Sequence, residues 1–342
     1  MDVGILRLPN EVLIQVFEVD PGNPGVFSIS TLCRRLHYLA LPIYLTAHGI
    51  PDPQTLLSQD LILPATQFHL LQPLRTALFI RSLKHISCSF PFRQVFFPSP
   101  RESRLYEFFH QVRRLTGFLA NLERVDEVTL EFQVHYWFIA MDRSVAFENL
   151  NAWDATISPL LDVVLEKGCT ALNVYGGIVV VEDFQLKHPP PRARGSILPP
   201  VVPLKQLSFL SAIGRQITGV FGIGQKAEVE GKTPLGLRTF NIHSSILLLA
   251  PCYGWTMATL RASSNLISLS IVCDKNIPDR DGDDILSNIH APRLQYFFMD
   301  LKCRVTAPAL ERFFARHPHT SASESSFGTQ VRLPPGMRSG TS

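Results

Sequence analysis

A three-point pattern, apolar-x-x-apolar-x-apolar, recurs in order through most of this chain and limits what it can fold into. It appears as Leu83/Ile86/Cys88, Val125/Val128/Leu130, Cys169/Leu172/Val174, Leu204/Leu207/Phe209, Leu237/Phe240/Ile242, Leu266/Leu269/Ile271 and Leu294/Phe297/Met299, at intervals that shorten from the second onward. Alternate residues of a strand point to opposite faces, so the last two apolar positions of each unit share one face. Helical spacing fills the gaps. Leu105, Phe108, Phe109, Val112, Leu115, Phe118, Leu119 and Leu122 form one stripe, with Glu107, Gln111, Arg113 and Arg114 opposite. Ser158 and Pro159 read as an N-cap and first-turn proline before Leu160, Leu161, Val164 and Leu165, with Lys167-Gly168 as the stop. Thr306 and Pro308 open another helix with Leu310, Phe313 and Phe314 inward, ended by His317-Pro318. Strand and helix alternating in one direction predict a parallel sheet with helices on one side. Ile86, Val128, Leu172, Leu207, Phe240, Leu269 and Phe297 are expected to stack inward as one ladder.

A different pattern occupies the N-terminus. Pro9 sits where its missing N–H costs nothing at a helix start, and Val12, Leu13, Val16 and Phe17 then make one apolar stripe. A second stripe follows in Leu32, Cys33, Leu36, Leu39 and Ala40, flanked by Arg34 and Arg35 and expected to stop before Pro42. Two short helices bury little surface by themselves, so the apolar excess reads either as an interface for a partner or as the first helical pair of a larger domain.

Leu8, Pro9, Glu11, Val12, Leu13 and Cys33-Arg34-Arg35 resemble an F-box, in its Leu-Pro-x-Glu opening, paired aliphatics and later cysteine with basic residues. Two positions depart from it: Leu36 stands where many F-boxes carry tryptophan, and Asp20 to Gly25 replaces the usual polar connection. The repeat resembles the strand motif of leucine-rich repeats, and Phe313 through Pro318 is similar to the repeat ending Phe-x-x-Arg-His-Pro of fungal F-box proteins with degenerate repeats. The resemblance implies an α/β chain with a short N-terminal helical F-box, followed by a degenerate leucine-rich-repeat solenoid with a parallel sheet. Its divisions would be an F-box at 1–50, a connecting segment at 51–82, a solenoid at 83–318, and a disordered tail or incomplete repeat at 319–342. Residues 187–203 are proline-rich and read as an exposed loop within the solenoid, or as a linker between two domains.

In that family the F-box binds a Skp-type adaptor on a cullin scaffold, in an SCF ubiquitin ligase, and the remainder recruits a protein substrate. The resemblance therefore implies adaptor binding through Leu8, Pro9, Val12, Leu13, Val16, Phe17, Leu32 and Leu36. On the solenoid, the residues after each ladder position should face outward, beside rows holding His85, Glu127 and Glu131. Among these, Tyr175, His243, Tyr296 and Phe298 are the expected target contacts, since aromatics anchor many binding sites; loop 187–203 is the competing location. A scaffold whose F-box-like helices only cap the solenoid is the alternative function.

Composition narrows the field further. A chain 46% hydrophobic and 18% charged should fold, and a net charge of +3 with no basic run argues for neither nucleic acid nor membrane as partner. The N-terminus lacks a secretory pattern and no stretch approaches a membrane span, so cytoplasm or nucleus is expected. Six cysteines, at 33, 88, 169, 252, 273 and 303, make no C-x-x-C pair and are expected as thiols.

No enzyme is expected and no cofactor is implied. Gly219 to Gly224 lacks dinucleotide-binding spacing, and the acidic run Asp274 to Asp284 misplaces two ligands of a calcium loop and reads as a solvated loop. Cys33 and His37 lack a second ligand pair for zinc, leaving a buried thiol and a surface histidine. His135-Tyr136-Trp137-Phe138, after the strand Val128 to Phe132, reads as core and rim or as a pocket lining.

Overall fold

The computed structural model describes residues 4–54, 60–91, 101–137, 143–180, 236–248, 252–276, 279–302 and 305–320. By contacts the chain divides into Met1–Phe184 with Pro234–Ser342, and Gln185–Thr233; all the described residues lie in the first unit.

Three helices open that unit. Helix α1 (Asn10–Glu18) starts directly after Pro9, and its Leu13 and Phe17, four residues apart, are buried on one face. Asp20 to Gly25, the segment that departs from the F-box pattern, leads into a further helix. Asn23 accepts a hydrogen bond from the Gly25 N–H at 2.8 Å and so caps α2 (Pro24–Ser30). Helix α3 (Arg34–Ala47) continues through Pro42 rather than stopping before it. A proline there removes one backbone bond, and the buried Leu41, Tyr44 and Leu45 hold the helix together regardless. His37 is also buried, not superficial. Its Nε2 accepts the Leu78 N–H at 3.1 Å, which leaves Nδ1 to donate to the Ser30 carbonyl at 3.3 Å.

The sheet has seven parallel strands in sequential order. They are β1 (Asp60–Leu63), β2 (Ser82–Pro91), β3 (Arg124–Trp137), β4 (Ala171–Val180), β5 (Thr239–His243), β6 (Ser268–Asn276) and β7 (Tyr296–Lys302). Leu61, Ile86, Val128, Leu172, Phe240, Leu269 and Phe297 are cross-strand neighbours in a continuous row, and all are buried. Leu204 to Phe209 lies outside the described residues, and β4 pairs directly with β5, so Phe240 and not Leu207 stands beside Leu172. The seventh strand is β1, inside the expected connecting segment. Only Leu61 and Leu63 mark it, because its first apolar position is missing. Entry bonds repeat from strand to strand: Thr170 N–H to Asp126 O, Arg238 N–H to Thr170 O, and Ile267 N–H to Arg238 O, each at 2.8 Å.

Helices α4 (Leu71–Thr76), α5 (Arg101–Asn121), α6 (Arg143–Glu166), α7 (Ser245–Leu248), α8 (Tyr253–Ala262), α9 (Asp279–Asn288) and α10 (Ala307–Arg316) connect or follow the strands. Helix α6 passes through Pro159 instead of starting there. Trp153 and Ile157 are buried on its preceding turns, and Trp153 packs on Phe108 at 4.9 Å between ring centres, so burial upstream extends the helix past its local cap signal. Asp279 to Asp284 lies in helix α9 rather than a solvated loop, because Ile285 and Leu286 fix it to the core. Thr306 caps α10 as its sequence indicates, and the Asp283 carboxylate accepts from both its N–H (2.8 Å) and its Oγ1 (2.7 Å). His135 to Trp137 continue β3 beyond a register shift, opposite Ile178 to Val180; Phe138 lies outside the described residues, as do Gly219 to Gly224, loop 187–203 and residues 321–342.

Candidate protein-binding surfaces

Helix α1 carries apolar residues on more than one face. Leu13 and Phe17 turn inward with Leu36 of α3, each at most 1% exposed. Val12, Val16 and Val19, spaced i, i+4, i+7, turn outward at 38, 51 and 84% exposed, and Leu6 (53%) and Leu32 (71%) of the same module are exposed too. Pro9 is exposed and Leu8 half-buried against the core. The eight residues expected to meet an adaptor therefore divide into an accessible set of Pro9, Val12, Val16 and Leu32, with Leu8 at its margin, and a supporting set of Leu13, Phe17 and Leu36. The buried three cannot touch a partner directly.

Leu6, Val19 and Arg35 were not among the expected adaptor contacts. An aliphatic face wider than one core contact needs was the available signal for Val19. Arg35 was marked only as half of the Arg34-Arg35 pair of the motif, with nothing to tell it from Arg34. Its Nε donates to Asn10 Oδ1 at 2.8 Å, and its two Nη groups donate to the Leu6 and Leu8 carbonyls at 2.6 Å each, pinning the residues before α1 against α3. Nearby, an open cleft of about 500 Å³ is lined by Glu18, Pro42, Ile43, Thr46, Asp52 and Pro53.

The second surface is the sheet face opposite the buried ladder. Cross-strand pairing aligns three outward rows: Asp60, His85, Glu127, Ala171, Thr239, Ser268 and Tyr296; then Ile62, Ser87, Thr129, Asn173, Asn241, Ser270 and Phe298; then Ser89, Glu131, Tyr175 and His243, continued by Val272 and Asp300. Hydrogen bonds cross the strands here. Asn241 Nδ2 donates to Asn173 Oδ1 (2.7 Å), and Asn173 Nδ2 donates to Glu127 Oε1 (3.0 Å) and Thr129 Oγ1 (3.2 Å). His85 pairs through Nε2 with Thr129 Oγ1 (3.2 Å) and lies 3.6 Å from the Asp60 carboxylate. His243 pairs with Ser270 Oγ at 2.8 Å, and its ring meets Tyr175 edge to face at 5.2 Å. Burial holds the His243 pKa below the usual histidine value.

Of the four expected target contacts, the register brings Tyr175 and His243 together on adjacent strands, while Tyr296 (61% exposed) and Phe298 (37%) stand apart on β7. Phe298 belongs to the middle row, three strands from Asn173 across Asn241 and Ser270. Ile62, 64% exposed at the opposite edge, was missed with β1.

Among the described residues no group of three or more His, Cys, Asp or Glu could hold a metal, and no helix is long and apolar enough to cross a membrane. Burial pushes the thiols of Cys169 and Cys252 up to about 12, and that of Cys88 higher still, out of the nucleophilic range. No protein-family model matches the chain, and no curated protein matches it either.

Proposed function

We propose that this chain is the substrate-recognition subunit of a cullin-based SCF ubiquitin ligase. Residues 1–50 act as an F-box that binds a Skp-type adaptor, and the repeats, with β1 as their first strand, act as a leucine-rich-repeat solenoid that holds a protein target. The observation that carries this reading is the exposed aliphatic set Leu6, Val12, Val16, Val19 and Leu32 on so small a helical module. Exposed large aliphatics concentrated on one small module mark an interaction site. Sequential parallel strands, a recurring entry bond and one buried ladder support the repeat assignment. Tethering the target raises the effective concentration of its lysines near a ubiquitin-charged enzyme bound elsewhere in the assembly. The dyads His85–Thr129 and His243–Ser270 are read as sheet-face hydrogen bonds. Among the described residues the strand N–H groups lie in the sheet plane within the ladders, so the strand backbone aims no donor pair at an oxyanion above these hydroxyls.

Capture by a purified Skp-type adaptor tests the proposal. Phe17→Asp is the wrong probe, because burying that charge would unfold the module. Val16→Asp with Leu32→Asp alters exposed residues only; it should weaken adaptor capture by at least about tenfold while the melting temperature holds. Undiminished capture, or no capture by the native chain, would refute the F-box reading. A scaffold function, with the helices as a cap, draws on a different observation: Leu13, Phe17, Leu41 and Leu45 share one core with Leu61, Leu63 and Leu83 of the sheet. Native chain that ignores the adaptor would favour it.

A further inference from the structure

We propose that the sheet face opposite the helices seats an extended, arginine-bearing segment of the protein target, with Glu131 and Tyr175 taking one guanidinium and Glu127 taking another. This inference rests on the reading of that face as the target surface and adds the chemistry of what it takes.

Charge is the first argument. Within the three outward rows Asp60, Glu127, Glu131 and Asp300 are acidic and no Lys or Arg occurs, although the chain as a whole carries +3. Basic residues lie outside these rows: Lys84 and Arg238 near the strand entries, Lys275 and Lys302 at the exits of β6 and β7, and Arg124 already bonded to Asp126 at 2.6 Å. A face of one sign inside a chain of the other favours a cationic occupant and repels phosphate.

Local geometry narrows the cation. Glu131 and Tyr175 are cross-strand neighbours, so a carboxylate stands beside an aromatic ring. That pairing suits a guanidinium, which forks onto the carboxylate and stacks its plane on the ring, better than it suits a compact ammonium. Tyr175 is held for the task. His243 packs edge-on against it, and Ser270 fixes His243 in turn. Glu127 is held as well, by the Asn173 amide, and its cross-strand neighbour Ala171 is small enough to leave room above the carboxylate.

Spacing supplies the form of the ligand. Glu127 and Glu131 lie four residues apart on β3, which is about 13 Å along a strand. An extended segment presents its residues i and i+4 on one face at the same distance. Thr129 lies between the two acids, and its small side chain lets the intervening residue pass close to the sheet.

Fluorescence anisotropy with the full chain and three labelled peptides tests this. The probes share a neutral Ser/Gly/Leu background and carry two Arg four residues apart, two adjacent Arg, or two Glu four residues apart. The first should bind most tightly, and raising the salt from about 0.05 to 0.5 M should weaken it, as screening demands. Glu127→Gln with Glu131→Gln keeps the carbonyl acceptors for Asn173 and Gln133 but removes both charges, and should weaken that probe by at least about tenfold. Tyr175→Leu should also weaken it. Equal binding of the Glu or adjacent-Arg probe, no binding of the first probe, or full binding by the double Gln variant would overturn the proposal. Adaptor capture is a separate readout: a chain that captures the adaptor and ignores the peptide loses only the arginine seat, and one that binds the peptide without the adaptor loses only the ligase reading.

Discussion

Two buried histidines do the same work at opposite ends of the described chain. His37 accepts the Leu78 N–H on Nε2, and His317 accepts the Ala291 N–H on Nε2 at 3.3 Å while Nδ1 donates to the Phe313 carbonyl at 2.8 Å. Each ring must be neutral to accept, and burial lowers both pKa values, with Arg316 and His290 adding to the effect at His317. A folded pKa below the unfolded value of about 6.5 means the unfolded chain binds protons first, so this stability is present above that pH. It is lost as the pH falls through the folded values. The melting temperature should therefore drop between about pH 7 and pH 5.5, before ordinary carboxylates titrate, and His317→Asn should flatten part of that slope. A melting temperature constant across this window would contradict the assignment of both rings as neutral acceptors.

At the scale of elements, the least regular strand shapes the face. Strand β4 holds Gly176 and Gly177 at φ of +68° and +72°, where its register against β3 shifts after Phe132. A side chain on Gly176 would collide with the Phe132 carbonyl oxygen, which is backbone and cannot move aside. The bend lets the Gly177 carbonyl accept from Ser245 Oγ at 2.7 Å, tying β4 to the start of α7. It also sits directly after Tyr175. Gly176→Ala should thus cost about 2 kcal/mol or more, from the left-handed backbone and the collision together. A thermal melt measures the loss, and the same variant should weaken the arginine probe by displacing Tyr175. A melt within experimental error of native would show that β4 needs no glycine there.

For the whole molecule, the question is whether the N-terminal helices stand alone. They share a core with the sheet, and the link runs through the segment between α3 and β2. Gln67 Nε2 donates to the His48 carbonyl at 3.2 Å, Phe79 packs near the rings of His37 and Tyr38, and Leu78 bonds His37. Removing residues 1–50 would expose the surfaces that Leu13, Phe17, Leu41 and Leu45 cover. Each buried side chain of that size contributes about 1.5–3 kcal/mol, so the truncated chain should melt well below the native one by circular dichroism, or aggregate. Unchanged melting would make the module independent and remove the basis of the cap reading.

Periodicity alone determined the larger part of this architecture. Six of the expected ladder positions are buried and paired in register, and α5 and α10 lie where apolar spacing and the Thr306-Pro308 cap put them. Such features are local: a strand alternates and a helix repeats whatever lies beyond it. Tertiary structure decided the rest. Strand β1 has only two of the three apolar marks and exists because β2 offers it an edge, whereas β4 takes β5 as its direct neighbour although an equally good pattern at Leu204 comes first in the chain. Pro42 and Pro159 stay inside helices because burial on both sides outweighs one lost hydrogen bond. The same holds for the candidate surfaces. Aliphatic pairs on α1 were plain in the sequence, but which of them face the core depends on α3. Glu131 and Tyr175 lie 44 positions apart; the repeat put them in one outward row, and the β3–β4 register makes them direct neighbours. Pairing between distant segments is a property of the assembled sheet, which no window of sequence contains.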